Sequence, residues 1–201
     1  MEFVKEFATF LYQNGIIKFG EFKLASGKSS SYYVDLRLVP SYPHQFRRMI
    51  KHLQDMISEQ IGFENFDTIG SVPTGGLVIA SSLAYELVKP IVYVRSQAKD
   101  YGTSKLVEGV VKSDDRIILI DDVATTGGSV INGIKELKKA GAKISDAYVI
   151  INRLEGAEKN LAEEGVVLHQ ILDIMQIAKI LHAEKLIDDL ILNKVKFQVQ
   201  S

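Results

Sequence analysis

Two adjacent carboxylates stand between a run of aliphatic residues and a small, hydroxyl-rich turn in this 201-residue chain. The aliphatic run covers residues 117–120, the acids are Asp121 and Asp122, and the turn is Thr125-Thr126-Gly127-Gly128-Ser129. Free backbone N–H groups at the start of a helix, assisted by hydroxyls, bind phosphate. Two carboxylates beside such a turn would repel a bare phosphate. The pattern therefore predicts a ribose phosphate, whose hydroxyls donate hydrogen bonds to the two acids.

The same residues allow an ordinary structural explanation, in which the acids end a strand and the glycines make a turn. The turn lacks the Gly-Lys-Ser/Thr ending of a Walker A loop. It also lacks the Gly-x-Gly-x-x-Gly spacing of a dinucleotide-binding loop. A second Gly pair, in Pro73-Thr74-Gly75-Gly76, follows another predicted strand at residues 67–72. If both strands lie in one sheet, the two loops face each other across a shared ligand.

Alternating helical and extended patterns predict the elements that carry these loops. Extended patterns predict strands within residues 16–37, with residues 32–36 the best candidate, and at residues 67–72, 91–94, 117–120, 145–151 and 166–172. Helical spacing of apolar residues fills most of the intervals and continues to about residue 193. This alternation predicts an α/β fold, with a doubly wound, mostly parallel sheet flanked by helices in a single domain of residues 1–201. Ligands should then bind at the carboxyl ends of the strands.

Composition excludes several other classes of protein. A formal net charge of −1 argues against a general nucleic-acid binder. The absence of cysteine excludes disulfides, thiolate zinc sites and cysteine nucleophiles. No apolar run approaches the ~18 residues of a membrane span, and the acidic N-terminus lacks the apolar segment of a signal peptide. We expect a cytoplasmic enzyme that binds neither nucleic acid nor membranes.

The aliphatic run, the acids and the turn, taken together over residues 117–129, resemble the PRPP-binding motif of type I phosphoribosyltransferases (PRPP, 5-phosphoribosyl 1-diphosphate). Residues 20–35, Gly-Glu-Phe-Lys-Leu-Ala-Ser-Gly-Lys-Ser-Ser-Ser-Tyr-Tyr-Val-Asp, resemble the N-terminal hood segment of the orotate phosphoribosyltransferase branch. Arg95 with residues 98–100, and residues 152–155, match that branch as well. The resemblance implies a hood mainly at residues 1–40 and a core from about residue 41 to residue 201. It also implies transfer of phosphoribosyl from PRPP to orotate, which yields orotidine 5′-monophosphate and pyrophosphate in pyrimidine biosynthesis.

The resemblance further implies a role for each matched residue. Lys99, Asp121 and Asp122 would act in catalysis, with Lys99 supplied by the neighbouring subunit of a homodimer with shared active sites. Orotate would contact Tyr33, Val34, Thr125 and Arg153; an ordinary ion pair with Glu155 is the alternative for Arg153. Mg²⁺ would be held mainly by PRPP, with Asp121 or Asp122 as candidate protein ligands. The residues implied in PRPP binding are Thr74, Gly75, Gly76, Arg95, Lys99, Tyr101, Asp121, Asp122, Val123, Ala124, Thr125, Thr126, Gly127, Gly128 and Ser129.

The polar stretch that begins at Ser96 is either a solvated loop or a mobile lid. Its cations favour the second interpretation, in which the lid closes on top of an anionic ligand. Several positions depart from the better-known bacterial pattern. Ala25 and Ser96 replace lysines, Tyr101 replaces a histidine, and residues 74–76 replace Tyr-Lys-Gly. PRPP should therefore depend more on backbone N–H groups, Arg95 and Lys99.

Two other functions stay open at this point. A transferase for another base would share the PRPP motif, although the hood segment and Arg153 count against it. A regulator that senses PRPP or a nucleotide would share the scaffold, although the sequence shows neither a basic patch nor a helix-turn-helix.

Overall fold

The computed structural model describes residues 2–23, 27, 29–95 and 106–200. Lys99, Tyr101, Ala25 and Ser96 lie outside the described residues. The helices are α1 (Glu2–Gln13), α2 (Pro43–Gln60), α3 (Gly75–Leu87), α4 (Gly128–Lys139), α5 (Ala157–Glu163), α6 (Ile174–Ala183) and α7 (Asp189–Gln200). The strands are β1 (Ile17–Lys23), β2 (Ser29–Val34), β3 (Thr68–Ser71), β4 (Ile91–Val94), β5 (Val107–Glu108), β6 (Ile117–Ala124), β7 (Asp146–Asn152) and β8 (Val167–Asp173). Short 3-10 helices cover Leu36–Ser41 and Phe63–Asn65.

The chain divides into two compact units, one of Met1–Arg48 with Leu172–Ser201 and the other of Met49–Ile171. In the first unit, β1 and β2 form an antiparallel hairpin. The α1 helix buries Phe7, Ala8 and Leu11 on one face, as the spacing of its apolar residues predicts. Residues 172–201 belong to this compact unit as well.

The second unit is built on a six-stranded sheet with the strand order β5-β4-β3-β6-β7-β8. β3 pairs in parallel with both β4 and β6, and β6 pairs in parallel with β7, whereas β5 is antiparallel to β4. From β3 the chain winds outward to β4 and then returns to β6 on the other side. This reversal is a topological switch point, where ligands bind in open α/β sheets. The predicted doubly wound, mostly parallel sheet is confirmed.

The centre of the sheet is buried from solvent. Residues 117–120 of β6 are at most 2% exposed, which agrees with a strand covered on both faces. The α4 helix packs closely on one face, where a Cβ on Gly133 would lie 2.8 Å from Cγ1 of Val72. Each large aliphatic side chain buried in this way stabilises the fold by roughly 1.5–3 kcal/mol. The sheet is therefore a rigid platform for the loops at its edge.

Several predicted boundaries were wrong. The predicted strand at residues 32–36 ends at Val34, because Asp35 caps a 3-10 helix by accepting a hydrogen bond from the backbone N–H of Arg37 at 3.3 Å. β5 lies within a polar stretch that showed no strand pattern, and the last helix runs to Gln200. None of the described helices is both long and apolar enough to cross a membrane.

Candidate active site

Two glycine loops lie beside each other at the switch point: loop 1, residues 73–76 after β3, and loop 2, residues 125–129 after β6. The register of the parallel pair places Ser71 opposite Ile120, so both strands reach the carboxyl edge together. The Ser71 hydroxyl donates a hydrogen bond to the carbonyl of Ile120 at 2.8 Å. The two loops predicted from sequence to face each other therefore do leave the sheet as neighbours.

The acid pair, Asp121 and Asp122, belongs to β6 and packs directly against loop 1. A Cβ on Gly75 would lie 2.5 Å from Cγ of Asp122 and closer still to its Oδ2. A Cβ on Gly76 would lie 2.5 Å from Oδ1 of Asp121. The glycines of loop 1 therefore leave the space that the two carboxylates occupy. Sequence reasoning assigned these glycines to ligand binding and missed this role.

Asp121 is the more buried of the two acids, at 6% exposure. Its Oδ1 accepts a hydrogen bond from the backbone N–H of Asp122 at 2.9 Å, and its Oδ2 accepts one from the Ser129 hydroxyl at 3.4 Å. Burial, and then the nearby charge of Asp122, raise the pKa of Asp121 to about 8. Burial and the neighbouring negative charge therefore disfavour the ionised form of Asp121, and a bound cation would favour it.

Loop 2 turns the end of β6 into the start of α4. Gly127 adopts the left-handed conformation with a φ of 80°, and no side chain caps the helix. Over the described parts of the chain, the backbone N–H groups of residues 126–129 donate no hydrogen bond. Free N–H groups at a helix start, aligned with the helix dipole, are suited to bind an anion. Loop 2 thus offers free N–H groups to an anion, and phosphate binding at this loop stays a prediction.

The α5 helix supports loop 2 from outside the predicted motif. The side-chain amide of Asn160 donates a hydrogen bond to the carbonyl of Thr126 at 2.9 Å. A Cβ on Gly127 would lie 2.5 Å from Cδ1 of Leu161 and 3.4 Å from Cβ of Ala157. The sequence motif ends at Ser129, so no local signal pointed to these helix residues.

Arg153 follows β7 and extends the sheet beside the acid pair's strand. Its backbone N–H donates to the carbonyl of Ala124 at 2.9 Å, and its side chain is buried at 7% exposure. Nη2 lies 2.8 Å from Oε1 of Glu155, so the ion pair considered from the sequence does form. The guanidinium is nevertheless a buried group at the same edge of the sheet as loop 2, unlike a weak surface pair.

Arg95 directly follows β4, which pairs with β3 on the side away from β6. Its Nη1 lies 3.6 Å from Oε1 of Glu108, and this buried nitrogen makes no hydrogen bond to any residue that the structure describes. An ion pair at that distance leaves donor capacity for an anion. Lys99 and Tyr101, predicted to act with Arg95, lie outside the described residues.

Tyr33 and Val34 belong to the first unit, where they pair with Lys18 and Ile17 of β1. Tyr33 is 36% exposed, and the centroid of its ring lies 5.8 Å from that of Phe22. Gln198 of α7 holds the same strand, because its Oε1 accepts hydrogen bonds from the backbone N–H and the hydroxyl of Ser31 at 2.7 and 2.8 Å. An aromatic surface on a tethered strand is able to line a flat ring.

The acid pair offers hard oxygen ligands of the kind that Mg²⁺ prefers. Among residues 2–23, 27, 29–95 and 106–200, no group of three or more His, Cys, Asp or Glu side chains is placed to hold a metal ion. The pair alone would leave most coordination positions to water and to a phosphorylated ligand. This suits Mg²⁺, which keeps several waters and binds through one or two carboxylates plus substrate phosphates.

Comparisons with known proteins agree with this geometry. A family model described as the phosphoribosyl transferase domain matches residues 43–184. An orotate phosphoribosyltransferase from Cenarchaeum symbiosum is 50% identical over 196 residues, which cover 98% of this chain and 98% of that protein. The sequence likeness to this relative extends through both compact units.

Solved structures give the same result. The crystal structure of orotate phosphoribosyltransferase from Aeropyrum pernix is 33% identical, with a TM-score of 0.75, over 90% of this chain and 99% of that chain. The structure of Leishmania donovani UMP synthase is 28% identical, with a TM-score of 0.84, over 98% of this chain. This chain spans 42% of the length of that protein.

Proposed function

This chain belongs to the phosphoribosyl transferase domain family, and we propose that it is an orotate phosphoribosyltransferase. The observation that carries the proposal is the acid pair, held against loop 1 and followed directly by the free N–H groups of loop 2. One ligand that carries a phosphate, ribose hydroxyls and a pyrophosphate matches all three features. The named relatives, which align over nearly the whole chain, support orotate as the acceptor.

In the proposed complex, PRPP lies along the carboxyl edge of the sheet. Its 5-phosphate accepts hydrogen bonds from the N–H groups of loop 2, and its 2- and 3-hydroxyls donate to the acid pair. The pyrophosphate lies at loop 1 and receives the charge of Arg95. The positions of both loops beside Asp121 and Asp122 support this arrangement.

The reaction breaks the bond between C1 of the ribose and the pyrophosphate oxygen, whose electron pair leaves with pyrophosphate. A lone pair on the pyrimidine nitrogen forms the new bond to C1, and the proton of that nitrogen passes to solvent. Positive charge builds on the ribose ring during this exchange. Carboxylates held beside the ring stabilise that charge, and they do so most strongly where water is excluded. We therefore assign Asp121 and Asp122 an electrostatic and positioning role rather than proton transfer.

Mg²⁺ is part of the proposal, held mainly by PRPP, with Asp121 or Asp122 as a candidate protein ligand. When bound, it would neutralise charge on the leaving pyrophosphate. Support comes from the raised pKa of Asp121, because two carboxylates this close favour either a shared proton or a bound cation. Asp122 keeps its orientation through the backbone N–H of Val123, which donates to its Oδ1 at 2.9 Å.

Recognition of the acceptor is assigned to Arg153, with Thr125 beside it and Tyr33 and Val34 on the hood strand. A planar guanidinium binds a carboxylate through two parallel hydrogen bonds, which suits the carboxylate of orotate. Glu155 now pairs with this guanidinium at 2.8 Å and would either orient it or give way to the ligand. Bases without a carboxylate cannot make this interaction, so the same residue would reject them.

We also propose a homodimer in which Lys99 acts in the partner's site. Mixing Lys99→Ala protein with Asp122→Asn protein would then create one hybrid site with both residues intact. Random exchange of subunits should restore about a quarter of wild-type activity at equal mixing, by counting hybrid sites and treating each site as independent. Exchange proven by mass spectrometry without recovered activity would show that Lys99 serves its own subunit.

Loss of orotate absorbance, measured with and without PRPP and Mg²⁺, tests the proposed function. Uracil, adenine, guanine and hypoxanthine serve as competing acceptors, each followed by chromatography of the nucleotide product. We expect rapid transfer to orotate alone, dependent on both PRPP and Mg²⁺. Transfer to a purine instead would show that the protein is a transferase for another base. Binding of PRPP without any transfer would favour a regulator that senses PRPP.

A further inference from the structure

Asn160 lies on α5, outside every predicted motif, yet it makes a hydrogen bond to the phosphate loop. Its side-chain Nδ2 donates to the carbonyl of Thr126 at 2.9 Å, across 34 residues of sequence. Asn160 is partly buried, and its own backbone N–H donates to Gly156 within the first turn of α5. The amide therefore projects from a formed helix onto one particular carbonyl of loop 2.

The carbonyl that Asn160 binds determines where the next N–H group points. The peptide that joins Thr126 to Gly127 is trans, so its C=O and N–H point in opposite directions. With the carbonyl held towards α5, the N–H of Gly127 points away from that helix. This N–H group is one of those that donate no hydrogen bond in the described residues.

Glycine makes this orientation easy to lose. Gly127 has a φ of 80°, and glycine adopts positive and negative φ almost equally well, so the peptide before it is free to rotate by about half a turn. A rotated peptide would present a carbonyl oxygen, rather than an N–H group, to the bound phosphate. Leu161 and Ala157 of the same helix lie where a Cβ on Gly127 would point, but apolar neighbours do not distinguish the two ends of a peptide dipole.

We infer that Asn160 is a positioning residue that selects the phosphate-binding orientation of the Thr126–Gly127 peptide. This inference rests on the proposed function, because it takes the ligand of loop 2 to be the 5-phosphate of a ribose. Asn160 itself does not touch the ligand. Its effect passes through the carbonyl of Thr126 to the N–H of Gly127.

Three variants test the inference in the full-length chain. Asn160→Asp places an acceptor against the Thr126 carbonyl and favours rotation of the peptide, whereas Asn160→Ala only removes the donor. Glu163→Ala, on an exposed side chain of the same helix, is the matched control. Dissociation constants for ribose 5-phosphate and for pyrophosphate with Mg²⁺ are measured by calorimetry, alongside the melting temperature and the amide NMR signal of Gly127.

We expect the affinity for ribose 5-phosphate to fall most in Asn160→Asp, less in Asn160→Ala and least in the control Glu163→Ala. Asn160→Asp should weaken it roughly tenfold or more, because a hydrogen bond to a charged group is lost. Pyrophosphate affinity should stay within about twofold, and the shift of the Gly127 amide signal on adding ribose 5-phosphate should disappear.

Equal weakening of both ligands with a lowered melting temperature, or a larger loss for Ala than for Asp, would show a general packing role and overturn the inference. Unchanged affinity in both variants would overturn the inference too. In that case the proposed function would still hold, provided that the wild-type protein transfers phosphoribosyl to orotate. Wild-type protein that bound no ribose 5-phosphate would overturn the proposed function and the inference together.

Discussion

The triplet Thr-Gly-Gly occurs in both glycine loops, as residues 74–76 of loop 1 and as residues 126–128 of loop 2. In loop 1 neither glycine has a positive φ, and a Cβ on either would overlap a carboxylate of the acid pair. In loop 2, Gly127 needs its positive φ of 80°. Among the described residues, a Cβ on Gly128 would meet only Oγ1 of Thr126, at 3.8 Å.

The two copies therefore need glycine for different physical reasons. Loop 1 gives up side chains so that Asp121 and Asp122 can lie against its backbone. Loop 2 needs one left-handed residue to point N–H groups outward at a helix start. Identical letters in a sequence thus carry a steric requirement in one place and a conformational requirement in the other.

The largest effect is expected from Gly76→Ala. Its Cβ would lie 2.8 Å from Cα of Asp121 and 2.9 Å from the carbonyl of Ile120, so a backbone must move and not only a carboxylate. We expect destabilisation by roughly 1–3 kcal/mol and a loss of kcat/KM of roughly 100-fold or more. Urea unfolding and the orotate assay measure the two quantities.

Gly75→Ala and Gly128→Ala complete this series. Gly75→Ala should displace the carboxylate of Asp122 and lower kcat with little loss of stability. Gly128→Ala, with open space around its Cβ, should retain activity within about threefold. If Gly128→Ala lost as much activity as Gly75→Ala, the distinction between the two loops would fail.

Asp122→Asn tests the charge of the acid pair without changing the glycines of loop 1. The amide has nearly the same shape but lacks the charge that faces the developing ribose cation, so kcat should fall by roughly 100-fold. Asp121→Asn should lower kcat by a similar or smaller factor. Both variants should remain folded at neutral pH, as a cooperative urea unfolding transition would show. Near-wild-type turnover in both variants would show that the acid pair does not bind the ribose.

Arg153→Ala sharpens the comparison from the acceptor side, because Arg153 adjoins the strand that leads into loop 2. Loss of a charged hydrogen-bonding partner costs about 1.5–3 kcal/mol, so the apparent KM for orotate should rise by roughly 10- to 100-fold. The KM for PRPP should change far less. Glu155→Gln is the control for the broken ion pair, and equal effects on both substrates would instead indicate a distorted sheet edge.

The last prediction concerns the pH dependence of stability rather than catalysis. The pKa of Asp121 rises from an ordinary 3.8 to about 8 in the folded chain, so folding takes up a proton between these values. The free energy of unfolding of the ligand-free protein should therefore fall as pH rises through this window, by up to ~1.4 kcal/mol per pH unit. Asp121→Asn should flatten this dependence. If the free energy of unfolding depended on pH in the same way in the variant and the wild type, a group other than Asp121 would take up the proton.

Much of this site could be predicted from local sequence. The apolar runs indicated β3, β4 and β6, and the glycines that follow β3 and β6 indicated two loops at one sheet edge. The phosphoribosyltransferase family predicted from residues 117–129 is confirmed. These features share one property, which is that they depend on neighbouring residues in the chain.

The features that sequence could not predict depend on long-range contacts. β6 was expected to end at Ile120, where the apolar run stops, but ladder pairing continues through Asp121 with Val149 and Val123 with Ile151. The clearance around Gly75 and Gly76 depends on Asp121 and Asp122, more than 40 residues away. Asn160 reaches loop 2 across 34 residues with no motif of its own.

The central claim is that loop 2 binds the phosphate of a ribose phosphate while the acid pair binds its hydroxyls. Calorimetric titration with ribose 5-phosphate and with 2-deoxyribose 5-phosphate tests this division directly, because the two ligands differ by one hydroxyl. We predict that wild-type protein prefers the ribose form by roughly tenfold or more, that at least one of Asp121→Asn and Asp122→Asn abolishes this preference, and that Gly127→Ala weakens both ligands alike. A wild-type protein that bound both sugars equally, or a preference that survived both Asn variants, would contradict the account.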